Sequence, residues 1–196
     1  LEKVSQTGKP LILSTGMTTE NEIIYISNLL NDWGVKFVLL HCNSTYPAAP
    51  SDINLSYIKT LKKYNNLVGY SGHERGTSIS LAAVATGAVM IERHVTLDRK
   101  MEGPDHVASL EPDELKFLTS QIREVSSSLG FSKSRKLSQG ELINRENLGK
   151  SIVASREVNV GDIVSKNALK IVSPGIGLSP LKMDDLIGKT ALRKLE

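Results

Sequence analysis

Four times in the first 130 residues or so, a short apolar run ends in small or polar residues and a helix-like segment follows. The runs are Leu11-Ile12-Leu13 ending at Ser14-Thr15-Gly16, Phe37-Val38-Leu39-Leu40 ending at His41-Cys42-Asn43-Ser44, Leu67-Val68-Gly69-Tyr70 ending at Ser71-Gly72-His73, and Val89-Met90-Ile91 ending at Glu92-Arg93-His94. Uninterrupted apolar runs of this length suit strands covered on both faces, as in parallel sheets. The segments between them carry helix signals. Thr19 with Glu22 three residues on makes a capping box ahead of Ile23, Ile24, Ile26 and Leu29, and Gly34 closes that helix. Ile53 to Leu61 and Thr77 to Thr86 predict two shorter helices. Glu111-Pro112-Asp113-Glu114 opens a longer one running to about Leu129, with acids where the helix dipole favours them. Strand, helix and two loops in a regular step predict an α/β fold, either a barrel or a doubly wound sheet.

The pattern then stops. Residues 131–148 are polar and serine-rich and read as a linker. From 149 onward short β-like pieces are separated by Gly, Pro and Asn: Ser151–Ser155, Asp162–Val164, Leu169–Val172 and Pro174–Gly177. They predict a small β-rich module at 149–196, close to the lower size limit for independent stability.

Composition narrows the function classes. Apolar residues make up 40% and charged residues 23% of 196, an ordinary soluble balance able to bury a core. No run approaches the ~18 apolar residues of a membrane helix, and Leu1-Glu2-Lys3 shows no basic-then-apolar signal pattern. One cysteine, Cys42, excludes a disulfide within the chain and favours a reducing, cytoplasmic setting. The net charge is +3, and residues 1–149 are balanced at 16 basic and 16 acidic, so the excess lies in the last quarter. It forms no dense basic run with interleaved aromatics, which argues against a nucleic-acid footprint and for a solvated surface.

The candidate chemistry gathers at strand ends. Residues i and i+2 of a strand share a face, so Ser71 points with His73, Glu92 with His94, and Ser44 with Tyr46 if the extended backbone continues. Parallel α/β folds build active sites at such carboxyl ends. His73 and His94, from neighbouring strands, can lie side by side beside Glu92 and offer two nitrogens and a carboxylate to Mn²⁺, Fe²⁺, Co²⁺ or Zn²⁺. Alternatively each ring is only hydrogen-bonded at the mouth of the sheet. His41 and Cys42 read as core packing. Ser14, Ser44 and Ser71 suit phosphate or carboxylate oxygens, or simple turn chemistry. Asp105, in Gly103-Pro104-Asp105-His106, can meet substrate hydroxyls or merely shape a turn.

In their order, Ser14-Thr15-Gly16-Met17, His41-Cys42-Asn43-Ser44-Thr45-Tyr46-Pro47, Gly69-Tyr70-Ser71-Gly72-His73-Glu74, Glu92-Arg93-His94 and Gly103-Pro104-Asp105 resemble the sialic acid synthases, N-acetylneuraminate synthase and its relatives. Residues 149–196, with the closing Leu186-Ile187-Gly188-Lys189, resemble the antifreeze-like (SAF) domain of those enzymes. The resemblance implies that residues 1–130 are the last four β/α units of a (β/α)₈ TIM-type barrel, linked by 131–148 to the SAF domain. It implies condensation of phosphoenolpyruvate with an N-acetylated amino sugar, N-acetylmannosamine or a relative, to a nonulosonic acid and phosphate. It implies His73 and His94 on Mn²⁺ or Mg²⁺, Glu92 as the catalytic carboxylate beside the metal, Ser14, Ser44 and Ser71 on phosphoenolpyruvate, and Tyr46 and Asp105 on the sugar. Where many relatives place an Arg before the Pro-Gly of the SAF domain, this chain has Ser173, which leaves the acceptor sugar open. A half barrel exposes two sheet edges, so the chain is expected to be a fragment or to be completed by another polypeptide. Alone it is expected to be a poor catalyst, and the full-length enzyme a homodimer. Other readings are a legionaminic or pseudaminic acid synthase, a spore-coat polysaccharide synthase homologue, or a non-catalytic carbohydrate-binding module.

Overall fold

A computed structural model describes residues 1–130 and 134–196; the first three residues expected in the linker, 131–133, lie outside the described residues. The chain divides into two compact units, Leu1–Phe131 and Ser132–Glu196.

The first unit is a four-stranded parallel sheet in the order β1 (Leu11–Ser14), β2 (Phe37–Cys42), β3 (Val68–Gly72), β4 (Ile91–Arg93). After a short helix α1 (Glu2–Ser5), helices alternate with the strands: α2 (Glu20–Asp32), α3 (Pro50–Ile53), α4 (Tyr57–Leu61), α5 (Ser78–Thr86) and α6 (Pro112–Leu129). Sequential parallel strands with a helix between each pair make half of a barrel. Helix α2 begins at the expected capping box, with the Glu22 carboxylate accepting from Thr19 N and the Thr19 hydroxyl from Glu22 N. The hydrogen bonds its carboxylate accepts from the Thr19 backbone N–H and the Thr19 hydroxyl hold the Glu22 carboxyl below the usual carboxylate range. Gly34, at φ +68°, turns the chain out of that helix. The single helix expected over Ile53–Leu61 is instead two short ones, because Asn54 adopts the left-handed conformation and ends α3.

One face of the sheet packs on the helices. Ile23, Leu30, Phe37, Leu39, Ile53, Ile58, Leu61, Val68 and Tyr70 are buried there in one cluster, each apolar side chain contributing about 1.5–3 kcal/mol. On the other face, Leu40 lies over Gly69, where a Cβ would stand 2.5 Å from Leu40 Cδ2. That face is less completely covered: Ile12 of the edge strand β1 is 51% exposed. Among the described residues, no helix is long and apolar enough to cross a membrane.

The second unit pairs β5 (Ser151–Ala154) with β6 (Leu169–Val172), antiparallel, with isolated bridges Val158–Leu195 and Ile163–Thr190. A short helix α8 spans Met183–Leu186, and a small core holds Val158, Val164, Ala168 and Ala191. Of the four β-like pieces expected, the first and third are strands. The second contributes one bridge, and Pro174–Gly177 forms a turn, as suits a proline without an N–H followed by two glycines. Within the segment read as a linker, Gln139–Leu148 forms helix α7, opened by a Ser138/Glu141 capping box.

Candidate active site at the carboxyl ends of the strands

Register decides which side chains reach the inner face of the sheet, since neighbours along a strand face opposite ways. Ser71 pairs with Glu92 across β3 and β4, and its hydroxyl donates to Glu92 Oε1 at 2.7 Å. Two positions beyond each, on that same face, stand His73 and His94, their ring centroids 5.2 Å apart at 62°. Tyr46, from the loop after β2, stacks on His73 at 4.1 Å and meets His94 edge-on at 5.6 Å. That loop is turned by Asn43, whose side-chain oxygen accepts from Thr45 N at 3.0 Å while its Nδ2 donates to Asp52 O at 3.1 Å.

The same Asn43 orients a histidine. His73 Nδ1 is 2.7 Å from the Asn43 carbonyl. A carbonyl only accepts, so the neutral ring carries its proton on Nδ1 and turns the Nε2 lone pair toward the Tyr46 hydroxyl, 3.1 Å away. Burial, then the neighbouring Cys42, Asp105 and Glu92, raises the Tyr46 phenol above its ordinary range, so it keeps its proton as a donor. Asp105 Oδ2 is 3.9 Å from His94 Nδ1.

The structure thus gathers Tyr46, His73, His94 and Asp105, with Ser71 and Glu92 paired alongside. Ser44 stands one step away, its hydroxyl 3.8 Å from Cys42 Sγ, which is 3.7 Å from His73 Nδ1. A Cβ on Gly16 would collide with the Ser44 hydroxyl, so that glycine permits the β1 end to approach this loop. Among the described residues, no hydrogen bond or ring contact joins Ser14 to the imidazole cluster. It lines an apolar pocket with Leu13, Ile23 and Leu39.

Strand alternation splits the two residues read as core. His41 is buried on the helix side, its Nε2 2.6 Å from Ile53 O. Cys42, one residue on, faces the site, and core packing is the wrong reading for it. In the second unit the Ser173 hydroxyl accepts from Lys150 Nζ at 2.9 Å, which sets an ammonium beside the position where an arginine was expected.

The donor chemistry suits a divalent ion. Two imidazoles meet edge to face, and one has its Nδ1–H fixed by a main-chain carbonyl, the outer contact by which metal-binding histidines present Nε2. Among the described residues, no group of three or more His, Cys, Asp or Glu side chains could hold an ion.

A curled parallel sheet with polar groups converging at its strand ends is half of an α/β barrel. The chain belongs to the NeuB family, which residues 1–134 match, and residues 149–196 match the SAF domain. An N,N'-diacetyllegionaminic acid synthase of Campylobacter jejuni is 43% identical over 98% of this chain and 59% of its own length. A human N-acetylneuraminate-9-phosphate synthase is 39% identical over 100% of this chain and 55% of its own. The crystal structure of an N-acetylneuraminic acid (sialic acid) synthetase from Leptospira borgpetersenii superposes with TM-score 0.68 at 38% identity, covering 74% of this chain and 52% of that one. The chain spans between half and three fifths of the length of these relatives.

Proposed function

We propose that the chain contributes to the condensation of phosphoenolpyruvate with the open-chain aldehyde of an N-acetylated amino sugar, giving a nonulosonic acid and phosphate. The observation that carries this reading is the convergence of Tyr46, His73 and His94, in van der Waals reach of one another, beside the Ser71–Glu92 pair. Membership of the NeuB family supports it, as do relatives that make legionaminic and sialic acids.

In this reading the enol carbon of phosphoenolpyruvate bonds to the aldehyde carbon, whose oxygen takes a proton. Water adds at the adjacent carbon, the oxocarbenium centre left by that attack, and gives up a proton. The bond from that carbon to the phosphate oxygen then breaks, releasing phosphate and leaving a carbonyl. His73 and His94 would hold a divalent ion, Mn²⁺ or Mg²⁺. When bound, the ion supplies a Lewis acid that polarises the aldehyde oxygen. Tyr46 and Asp105 bind sugar hydroxyls, the phenol as donor and the carboxylate as acceptor. Ser71 holds Glu92 by its own proton, leaving the second carboxylate oxygen to orient the incoming water. Ser14 and Ser44 offer hydroxyls to phosphate or carboxylate oxygens.

Among the described residues β1 and β4 are each paired on one side only, and in this reading efficient turnover needs a further polypeptide segment to complete the sheet. The test is mass spectrometry of the products from phosphoenolpyruvate and a panel of N-acetylated hexosamines with Mn²⁺ or Mg²⁺. It is run with the chain alone and with the chain fused behind the preceding half barrel of the Campylobacter relative. A nonulosonic acid formed by the fusion and lost on His73→Ala supports the reading. A fusion that folds and binds the sugars without forming product favours the carbohydrate-binding alternative.

A further inference from the structure

Behind the imidazole pair, on the opposite side of the same two strands, lies an ionic cluster that the proposed chemistry does not touch. Glu74 follows His73 in sequence and Arg93 precedes His94. Strand alternation therefore sends the two histidines to the site and the two charges toward the helices. Arg93 Nη1 stands 3.0 Å from Glu74 Oε1, with side-chain exposures of 2% and 1%. The same nitrogen donates to Gly76 O at 2.7 Å and Ser80 Oγ at 3.0 Å. Nη2 donates to Glu74 O at 2.6 Å and Ala108 O at 3.4 Å. From the other side the Tyr70 hydroxyl donates to Glu74 Oε2 at 2.7 Å, and burial, with that bond, pushes the Tyr70 phenol well above its usual range.

This cluster is a poor device for stability. Two charges have been taken out of water, and Arg93 Nε is buried without a hydrogen-bond partner. Apolar residues of similar volume commonly stabilise such positions as well or better. What a guanidinium supplies that they cannot is a rigid planar fork. Here the fork ties the end of β3 (Glu74), the turn after it (Gly76), helix α5 (Ser80) and the loop after β4 (Ala108) to one point. The two charged partners themselves, Glu74 and Arg93, are covalently next to His73 and His94, and the histidine carbonyls are pinned too, His73 O by Ala48 N at 3.0 Å and His94 O by Leu110 N at 2.9 Å.

We infer that Glu74 and Arg93 are positioning residues, which hold His73 and His94 at the spacing a shared ligand needs by clamping the two strand ends from the opposite face of the sheet. The inference rests on the imidazole pair being a ligand site, as proposed above. The experiment compares the 196-residue chain with Arg93→Lys and with the charge-free double variant Glu74→Leu/Arg93→Met. Three readouts are taken: thermal unfolding, the long-range ¹H–¹⁵N signals of the histidine rings without metal, and titration with Co²⁺. The double variant is expected to unfold cooperatively near the wild-type temperature, while its His73 and His94 ring signals move and its Co²⁺ affinity falls at least tenfold. Arg93→Lys keeps the charge but loses the fork and is expected to fall between. A folded double variant with unchanged ring signals and Co²⁺ affinity would overturn the inference. If that variant does not fold, unchanged signals and affinity in Arg93→Lys overturn it equally. A wild-type chain that binds no Co²⁺ would defeat the ligand reading, and the ring signals would still decide whether the clamp positions the rings.

Discussion

The two faces of the parallel sheet are built from the same strands, residue by alternate residue, yet they follow different rules. Toward the helices the positions are sealed: Leu39 and Tyr70 are each 1% exposed, and even the charges there, Glu74 and Arg93, are paired out of water. Toward the inner face the same strands carry Ile12, Cys42, Ser71, His73, Glu92 and His94, an apolar and polar mixture in which Ile12 and Glu92 are exposed, Cys42 and His94 half-buried, and Ser71 and His73 buried. One face supplies cohesion and the other supplies chemistry. A one-residue slip in register would exchange them wholesale, so the packing of the first face fixes the aim of the second.

The contrast is broken most directly on the sealed side. Leu39→Ala removes a fully buried side chain from the centre of the core cluster, and a loss of about 2–5 kcal/mol is expected in urea unfolding, the usual range for such truncations. A loss below about 1 kcal/mol would mean that the helix layer is not closely packed. On the inner face, His94→Ala is expected to leave the unfolding free energy within about 0.5 kcal/mol, as for a substitution that leaves no core cavity. Its Co²⁺ affinity should nevertheless fall by more than about 100-fold, since even outer-contact losses at metal sites cost 10–100-fold. Unchanged Co²⁺ binding in calorimetry would remove His94 from the site.

Much of this was legible in the sequence because the repeated run-then-helix pattern and the i, i+2 rule both survive folding. The expected Thr19–Glu22 box, the strand ends and the meeting of His73 with His94 all depend on local spacing. What was not legible depends on contacts across the fold. Asparagine is among the residues that take the left-handed conformation most readily, but Ile53, Ile58 and Leu61 have helical spacing with or without a break, so the apolar pattern does not show that Asn54 ends α3. Helix α7 did carry a signal, the Ser138/Glu141 box, hidden in a segment whose composition reads as linker. Cys42 and the Glu74–Arg93 pair were recoverable by carrying alternation one residue further. A charge on the helix-facing side of a covered strand must have a partner, and the residue after a buried His41 must face the other way.

A smaller effect separates the faces by pH. His41, on the sealed side against Tyr57 and Tyr70, has its imidazole pKa lowered, burial outweighing its hydrogen bonds to the Ile53 and Asn54 carbonyls. Because the folded value lies below the unfolded one, the unfolded chain binds the extra proton first as pH falls. His41 therefore stabilises the fold fully above about pH 6.5, the ordinary imidazole value, and that contribution drains away below it. Urea midpoints at pH 7.5 and 5.5 should show a drop that is reduced in His41→Phe. An equal drop in both chains would place the pH sensitivity elsewhere.

The smallest effect carries the most information about what covers the inner face. Ile12 sits on the edge strand β1 and is half exposed, so Ile12→Ala forfeits only part of a transfer free energy of about 1.5–3 kcal/mol. In a chain that is monomeric in solution, a loss of under about 1 kcal/mol is expected, well short of the Leu39→Ala loss. If instead Ile12→Ala costs as much as Leu39→Ala, and the cost grows with protein concentration in sedimentation and unfolding measurements, the inner face is covered in solution by another copy of the chain. Edge strands with unpaired backbone groups favour such association. The open face would then be a property of the isolated unit and not of the protein as it works.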